Sequence, residues 1–311
     1  MMLLHQMKLL WHSVLPLADV RITALVIATR ILRILEVMPT SFALPESIVS
    51  GKTSKGTAWS RCGNGPTIVL LHGVGMNKSV WAPEVNLLCE SFDVLICDMW
   101  GHGESDLPNR ELSLKDYTQQ LVDLLKELEI DSAVVAGHSM GALIALDFAI
   151  NNPNTCLGVC AMNAVFDRTA EQSAAVKKRA ADLAAGGVSV NLAETLERWF
   201  GQPGTHEFPE AEALAQELLL VVNPKGYEAA YSVFAVSDKA HAQTLTTLAV
   251  PALFFTADGD PNSTPEMSFA MAALAPNGSS KVLTGHRHMM TLTAPEEVSA
   301  TLATFTQSVT K

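Results

Sequence analysis

The chain has 311 residues, 48% hydrophobic and 17% charged, which excludes disorder across its whole length and provides for a sizeable core. A formal net charge of -11 leaves no basic face for nucleic acid, so small molecules are the expected partners. The five cysteines, Cys62, Cys89, Cys97, Cys156 and Cys160, make no C-x-x-C pair and no metal-ligand spacing. They read as reduced, mostly buried thiols of a cytoplasmic protein without a metal.

Residues 1–37 differ in composition from the rest of the chain. Lys8, Arg21, Arg30 and Arg33 stand among aliphatics, with only Asp19 and Glu36 opposing them. The arginines interrupt each apolar run before it reaches the ~18 residues of a spanning helix. No basic start, apolar core and small-residue cleavage site occur in the order of a secretion signal. Two readings stay open for this extension. Ile22, Leu25, Val26, Ile31, Leu32 and Leu35 can form the stripe of an amphipathic surface helix, or the stretch is non-native and translation starts at Met38. Any membrane contact is expected through residues 1–37 alone.

Short strands begin at about Ser47. The turn Gly63-Asn64-Gly65-Pro66 leads into Thr67–Leu71, a continuous apolar run of the kind buried on both faces of a parallel sheet. His72-Gly73-Val74-Gly75 comes next, a glycine-rich loop at a strand end that suits an oxyanion-hole donor, with the Val74 N–H as that donor. The loop lacks the Gly-Lys-Ser/Thr ending of a phosphate loop and the glycine spacing of a dinucleotide fingerprint. A further strand, Phe92–Cys97, enters the tight loop Asp98–Ser105. There His102 is expected to fix the loop by hydrogen bonding. Ser113 and Asp116 form a helix-capping signature ahead of Tyr117, Leu121, Leu124, Leu125 and Leu128 at helical spacing.

Gly137-His138-Ser139-Met140-Gly141 then joins the apolar run Ala133–Ala136 to the helical stretch Ala142–Ala149. Strand, sharp turn and helix around G-x-S-x-G make a nucleophile elbow, so Ser139 is the expected nucleophile and the Met140 N–H the other oxyanion donor. Leu157–Val165 reads as a sixth strand. Alternating strands and helices predict an α/β fold with a mostly parallel, doubly wound sheet. Residues 167–245 break the rhythm with helical segments at Lys177–Ala185, Leu192–Phe200, Ala211–Val221 and Gly226–Val236. They are expected to form an inserted helical cap over the carboxyl ends of the strands, leaving 38–166 and 246–311 as the core. Strands return at Val250–Thr256 and Lys281–Leu283, before a last helix from Pro295.

A serine nucleophile needs a histidine base, and the histidine needs a carboxylate to hold its tautomer. Asp258 and Asp260 both follow a late strand. Asp260 is preferred because it sits in the turn opened by Gly259 and Pro261, and Asp167 after the sixth strand is a third option. His288 is preferred over His286 as the base. The order Ser, Asp, His is that of the elbow-containing hydrolases.

These residues resemble an α/β-hydrolase-fold enzyme from about Thr57 to Phe305. The resemblance is carried by His72-Gly73, the Asp98–Ser105 loop, Gly137–Gly141, Ala257–Pro265 and His288-Met289-x-x-Leu292-x-x-Pro295. Ala257 stands in place of the usual glycine of the acid loop. Arg198-Trp199-Phe200, Gly226-Tyr227 and the stretch Ala229–Asp238 resemble 3-oxoadipate enol-lactonases. In those enzymes leucine precedes the serine and two glycines follow the methionine, where this chain has His138 and Gly141-Ala142.

The resemblance implies a cofactor-free serine esterase or lactonase acting through Ser139, His288 and Asp260, with oxyanion donors Val74 and Met140. Arg198 and Trp199 are the expected substrate contacts, the arginine suiting a substrate carboxylate. The alternatives are a carbon-carbon bond hydrolase, perhydrolase or lyase on the same triad, or a noncatalytic ligand-binding member of the fold.

Overall fold

The computed structural model describes residues 42–310, so both readings of residues 1–37 and the start at Met38 lie outside the described residues. The described chain builds one eight-stranded sheet: β1 (Val49–Lys52), β2 (Ala58–Cys62), β3 (Thr67–Leu71), β4 (Asp93–Cys97), β5 (Ala133–His138), β6 (Cys156–Met162), β7 (Ala252–Ala257) and β8 (Gly278–Leu283). Their order across the sheet is β1-β2-β4-β3-β5-β6-β7-β8. β1 and β2 run antiparallel to their neighbours, and every pairing from β4 through β8 is parallel. The apolar runs lie at the centre: all of β4, β5 and β7 is buried. The edge strand β8 carries Ser279, Ser280 and Lys281, all exposed, polar groups that blunt an unpaired edge.

The helices begin where local chemistry starts them. After α1 (Ala82–Leu88) comes α2 (Leu114–Glu127), whose capping box is made by Ser113 and Asp116, the Ser113 N–H donating to Asp116 Oδ2 at 2.8 Å. α3 (Met140–Asn151) is apolar almost all round and buried, as a helix enclosed by core is. Between β6 and β7 lie α4 (Ala170–Gly186), α5 (Leu192–Phe200), α6 (Pro209–Val221) and α7 (Pro224–Val236). α4 starts seven residues before the expected Lys177, because Thr169 and Gln172 form a capping box there. Prolines open α6 and α7, where a missing N–H costs nothing. α8 (Pro265–Leu274), α9 (Met290–Thr293) and α10 (Pro295–Val309) complete the chain.

Two features of this architecture locate a site. From β3 the chain passes to β4 on one side and then, through α2, to β5 on the other, so β3 and β5 flank the point where strand order reverses. Open α/β sheets bind ligands at the carboxyl ends of such strands. The ends here are the His72–Gly75 loop and Ser139. The second feature is that β6 stops at Met162 rather than the expected Val165, because Asn163 takes φ +49° and turns the chain.

Candidate active site

The turn at Ser139 is set by close packing. Ser139 holds φ +56° and ψ -113°, a conformation costing roughly 1–3 kcal/mol in a non-glycine residue, and its N–H donates to the Met162 carbonyl at 2.9 Å. A side chain at Gly137 would collide with the Gly141 carbonyl, and one at Gly141 with the carbonyls of Leu71 and His72. Only glycine at both positions lets β5, β3 and α3 approach so closely. Met140 is the first residue of α3, so its N–H has no acceptor within the helix and faces the helix N-terminus with the dipole behind it.

Val74 lies in the loop after β3, is 7% exposed, and lines the same cavity as Ser139. Two buried histidines brace that loop. His72 Nε2 accepts from the Met99 N–H at 2.9 Å, which places its proton on Nδ1, 2.7 Å from the Gly73 carbonyl. His102 Nε2 accepts from the Gly75 N–H at 3.2 Å. Burial pushes His72 down to about 4 and His102 to about 3, so both are neutral imidazoles at physiological pH. Around them Asp98 gathers the Lys78 N–H at 2.6 Å, the Lys78 ammonium at 3.0 Å and the Glu104 N–H at 2.9 Å. His102 is thus a loop-fixing residue.

Asp260 and His288 come together from the loops after β7 and β8. His288 Nδ1 stands 2.8 Å from Asp260 Oδ2, with the two side chains 4% and 0% exposed. Asp260 also accepts from Asn163 Nδ2 at 2.8 Å and from the Asn262 N–H at 2.8 Å. Burial raises the Asp260 pKa, but the charge and hydrogen bond of His288 and the bonds from Asn163 and Asn262 outweigh it and hold the carboxylate below its ordinary value. Asp258 is exposed and accepts from the Gly285 N–H at 2.9 Å, so it shapes the turn before His288. Asp167 is exposed and pairs with Lys239 at 3.1 Å. His286 Nδ1 lies 2.9 Å from Thr293 Oγ1.

Ser139, His288 and Val74 share a cavity of about 190 Å³ with residues of the helices between β6 and β7, among them Arg179, Arg198, Trp199 and Tyr227. The Trp199 ring lies 5.8 Å from the His288 ring between centroids. Arg198 Nη2 donates to Thr195 Oγ1 at 2.9 Å. A hydroxyl and an imidazole backed by a buried carboxylate at one cavity wall, with an N–H-bearing loop at Val74 and a helix N-terminus at Met140 beside the serine, are the parts acyl transfer requires.

Three residues of this site carry no assignment from the sequence. Asn163 belongs to no motif and is recognised only by its bond to Asp260. His138 stands out in the sequence solely as a departure from the lactonase pattern; its Nε2–H donates to the His288 carbonyl at 2.7 Å. Arg168 has a side chain 3% exposed that lines the cavity, and nothing in its flanking sequence marks it. Among the described residues no cluster of three or more His, Cys, Asp or Glu is placed to hold a metal, and no helix is long and apolar enough to cross a membrane.

The sequence model of the alpha/beta hydrolase family matches residues 68–301. Among curated proteins the chain is similar to an (E)-2-((N-methylformamido)methylene)succinate hydrolase of Acinetobacter baylyi, with 35% identity over 240 residues, 76% of this chain and 88% of that one. It is also similar to 3-oxoadipate enol-lactonase 1 of the same organism, with 26% identity over 201 residues, 65% of this chain and 74% of that one. Among solved structures, an esterase of Thermogutta terrifontis superposes with a TM-score of 0.76 at 22% identity, covering 85% of this chain and 99% of that chain. The enol-lactonase of Burkholderia xenovorans gives 0.74 at 23%, covering 83% and 99%. At these identities the structural likenesses speak for the fold alone.

Proposed function

The chain belongs to the alpha/beta hydrolase family, and from that premise we propose that it is a serine hydrolase of a small carboxylic ester or lactone. The observation that carries the reading is the 2.8 Å contact between His288 Nδ1 and a fully buried Asp260, in the cavity wall that also bears Ser139 at its strained turn. In this reading the helices between β6 and β7 act as a cap that shapes the substrate's surroundings.

Ser139 Oγ attacks the carbonyl carbon while the unprotonated Nε2 of His288 takes its proton. Asp260 keeps the other proton on Nδ1 and stabilises the imidazolium that forms. The tetrahedral oxyanion is received by the N–H groups of Met140 and Val74. Collapse breaks the acyl–oxygen bond, and His288 returns the proton to the leaving alkoxide. In a lactone that alkoxide stays tethered to the acyl group. Water, deprotonated by His288, then attacks the acyl-enzyme; the Ser139 ester bond breaks, His288 returns the proton to Ser139 Oγ, and the acid is freed.

A second reading has one observation in its favour. The 35% identical relative is named for a substrate that carries an N-acyl group, and the same steps apply to such a bond with nitrogen as the leaving atom. Labelling with a neutral fluorophosphonate tests the common chemistry. Wild-type protein is expected to be modified at Ser139 and the Ser139→Ala variant not at all; modification at another serine, or none, overturns the reading. Turnover of matched esters, lactones and N-acyl compounds then separates the two bond types.

A further inference from the structure

Three arginines line the cavity that holds Ser139 and His288: Arg168, which follows the β6 loop, Arg179 on α4 and Arg198 on α5. No aspartate or glutamate lines it among the described residues. The acid nearest to Arg168 is Asp238, whose Oδ1 lies 3.7 Å from Nη1, beyond hydrogen-bond length, while its Oδ2 accepts from the Arg168 backbone N–H at 3.0 Å. Glu194, near Arg198, is exposed and outside the cavity lining.

The arginine side chains are held by neutral acceptors. Arg168 lies over the Phe234 ring, 4.5 Å from its centroid, and Nη1 donates to the Phe234 carbonyl at 3.3 Å. Arg179 Nε donates to the Tyr231 hydroxyl at 3.2 Å, and Arg198 Nη2 to Thr195 Oγ1 at 2.9 Å. Arg168 Nη2 is buried with no hydrogen-bond partner. A buried, charged donor left unpaired is costly, and in a site built to bind, the missing acceptor is the ligand. Burial lowers the pKa of Arg168 and of Arg198; the charge of Asp238 opposes this at Arg168, and the charge of Arg179 adds to it at both. The guanidiniums nevertheless remain protonated. They are like charges gathered at one cavity, one buried and two half-buried, a situation that anion binding relieves.

Three guanidiniums and the one nearby carboxylate, Asp238, sum to two net positive charges around the cavity. A neutral ester answers neither and a monoanion only one. We infer that the cavity reads a dianion: a small acyl substrate bearing two carboxylates, one taken by Arg168 and the other by Arg179 and Arg198, with the scissile carbonyl at Ser139. This rests on the hydrolase reading and adds to it the substrate's charge and the side chains that recognise it. Arg198 is expected from the sequence to meet one carboxylate; Arg168, with its orphaned Nη2, supplies the second contact from the core side.

The test uses three probes of one length: succinate, succinamate and succinamide, with two, one and no negative charges. Each is titrated calorimetrically into the full wild-type chain at physiological ionic strength. Succinate is expected to bind at least about tenfold more tightly than succinamate, and succinamide weakest. Arg168→Gln, Arg179→Gln and Arg198→Gln are each expected to weaken succinate by about tenfold or more and to shrink its advantage over succinamate. Circular dichroism melting verifies that each variant is folded; should Arg168→Gln fail to fold, the two helix-borne arginines carry the test. Equal binding of succinate and succinamate, no detectable succinate binding at millimolar concentration, or folded variants that keep the discrimination overturn the dianion site. Fluorophosphonate labelling of the wild type reads the other premise. Labelled Ser139 without charge discrimination removes the dianion site alone, whereas charge discrimination without labelling upholds the site and removes the hydrolase chemistry.

Discussion

The imidazole of His138 lies 4.9 Å from that of His288 between ring centroids, and its Nε2–H donates to the His288 backbone carbonyl at 2.7 Å. The residue before the elbow serine therefore holds the loop that carries His288, the proposed base. Burial, with the nearby charge of His288, pushes His138 down to about 3, so it is a neutral donor at physiological pH. His138→Leu, which restores the residue of the lactonase pattern, removes that bond. It is expected to lower kcat by about tenfold to a hundredfold with little change in KM, since a base displaced by a fraction of an ångström loses its alignment. Steady-state kinetics on the folded variant check this, and an unchanged kcat refutes a positioning role.

Ser139→Ala is expected to lose on the order of 10⁶ in turnover, as when one member of a triad acting as a unit is removed. Folding is expected to survive, because alanine adds no atom to a turn made tight by Gly137 and Gly141. Activity within a hundredfold of the wild type would move the nucleophile elsewhere.

The two candidate acids separate by environment. Asp260 is buried against His288 and Asp258 is exposed on a turn N–H. Asp260→Asn is expected to cost roughly 10⁴ in kcat by presenting the wrong hydrogen-bonding group to the histidine tautomer, while Asp258→Asn retains most activity. Likewise His288→Ala is expected to abolish turnover and His286→Ala to keep most of it, His286 being bonded to Thr293. The reverse ranking in purified variants reassigns the roles.

Stability against pH is expected to rise and then fall. His72, His102 and His138 are held down at about 4, 3 and 3 against an ordinary 6.5. As pH falls below about 6.5 the unfolded chain takes up protons that the folded chain refuses, so each histidine withdraws on the order of 1.4 kcal/mol per pH unit. Glu84 acts in the opposite sense. It is fully buried with both carboxylate oxygens unpartnered, and burial raises its pKa well above 4.5. The folded state retains that proton after the unfolded state has released it, and stability drains as pH rises above about 4.5. Three histidines outweigh one glutamate between pH ~4.5 and ~6.5, and above that window the glutamate's decline remains. Urea midpoints across pH are expected to peak near pH 6–7. Glu84→Gln is expected to flatten the alkaline arm and to steepen the rise between pH ~4.5 and ~6.5; an unaltered alkaline arm refutes the assignment.

The sequence by itself determined most of the elements and the tight turn that carries Ser139, the proposed nucleophile. Continuous apolar runs at Thr67–Leu71 and Ala133–Ala136, bounded by glycine turns, have the pattern of strands covered on both faces, and glycines two before and two after Ser139 allow the close approach its turn requires. These are local constraints, written in adjacent residues. What partners those elements choose is not local. The preference for Asp260 over Asp258 rested on turn chemistry, yet it is the contact with His288, 28 residues away, that distinguishes them. Asn163 meets Asp260 across 97 residues, and His138 meets His288 across 150. Arg168, Arg179 and Arg198 come from a loop and two helices and share one cavity only because the chain between β6 and β7 folds back over Ser139. Their meeting is a property of packing, which gathers at one cavity charges that the sequence shows merely as isolated basic residues in an acidic chain.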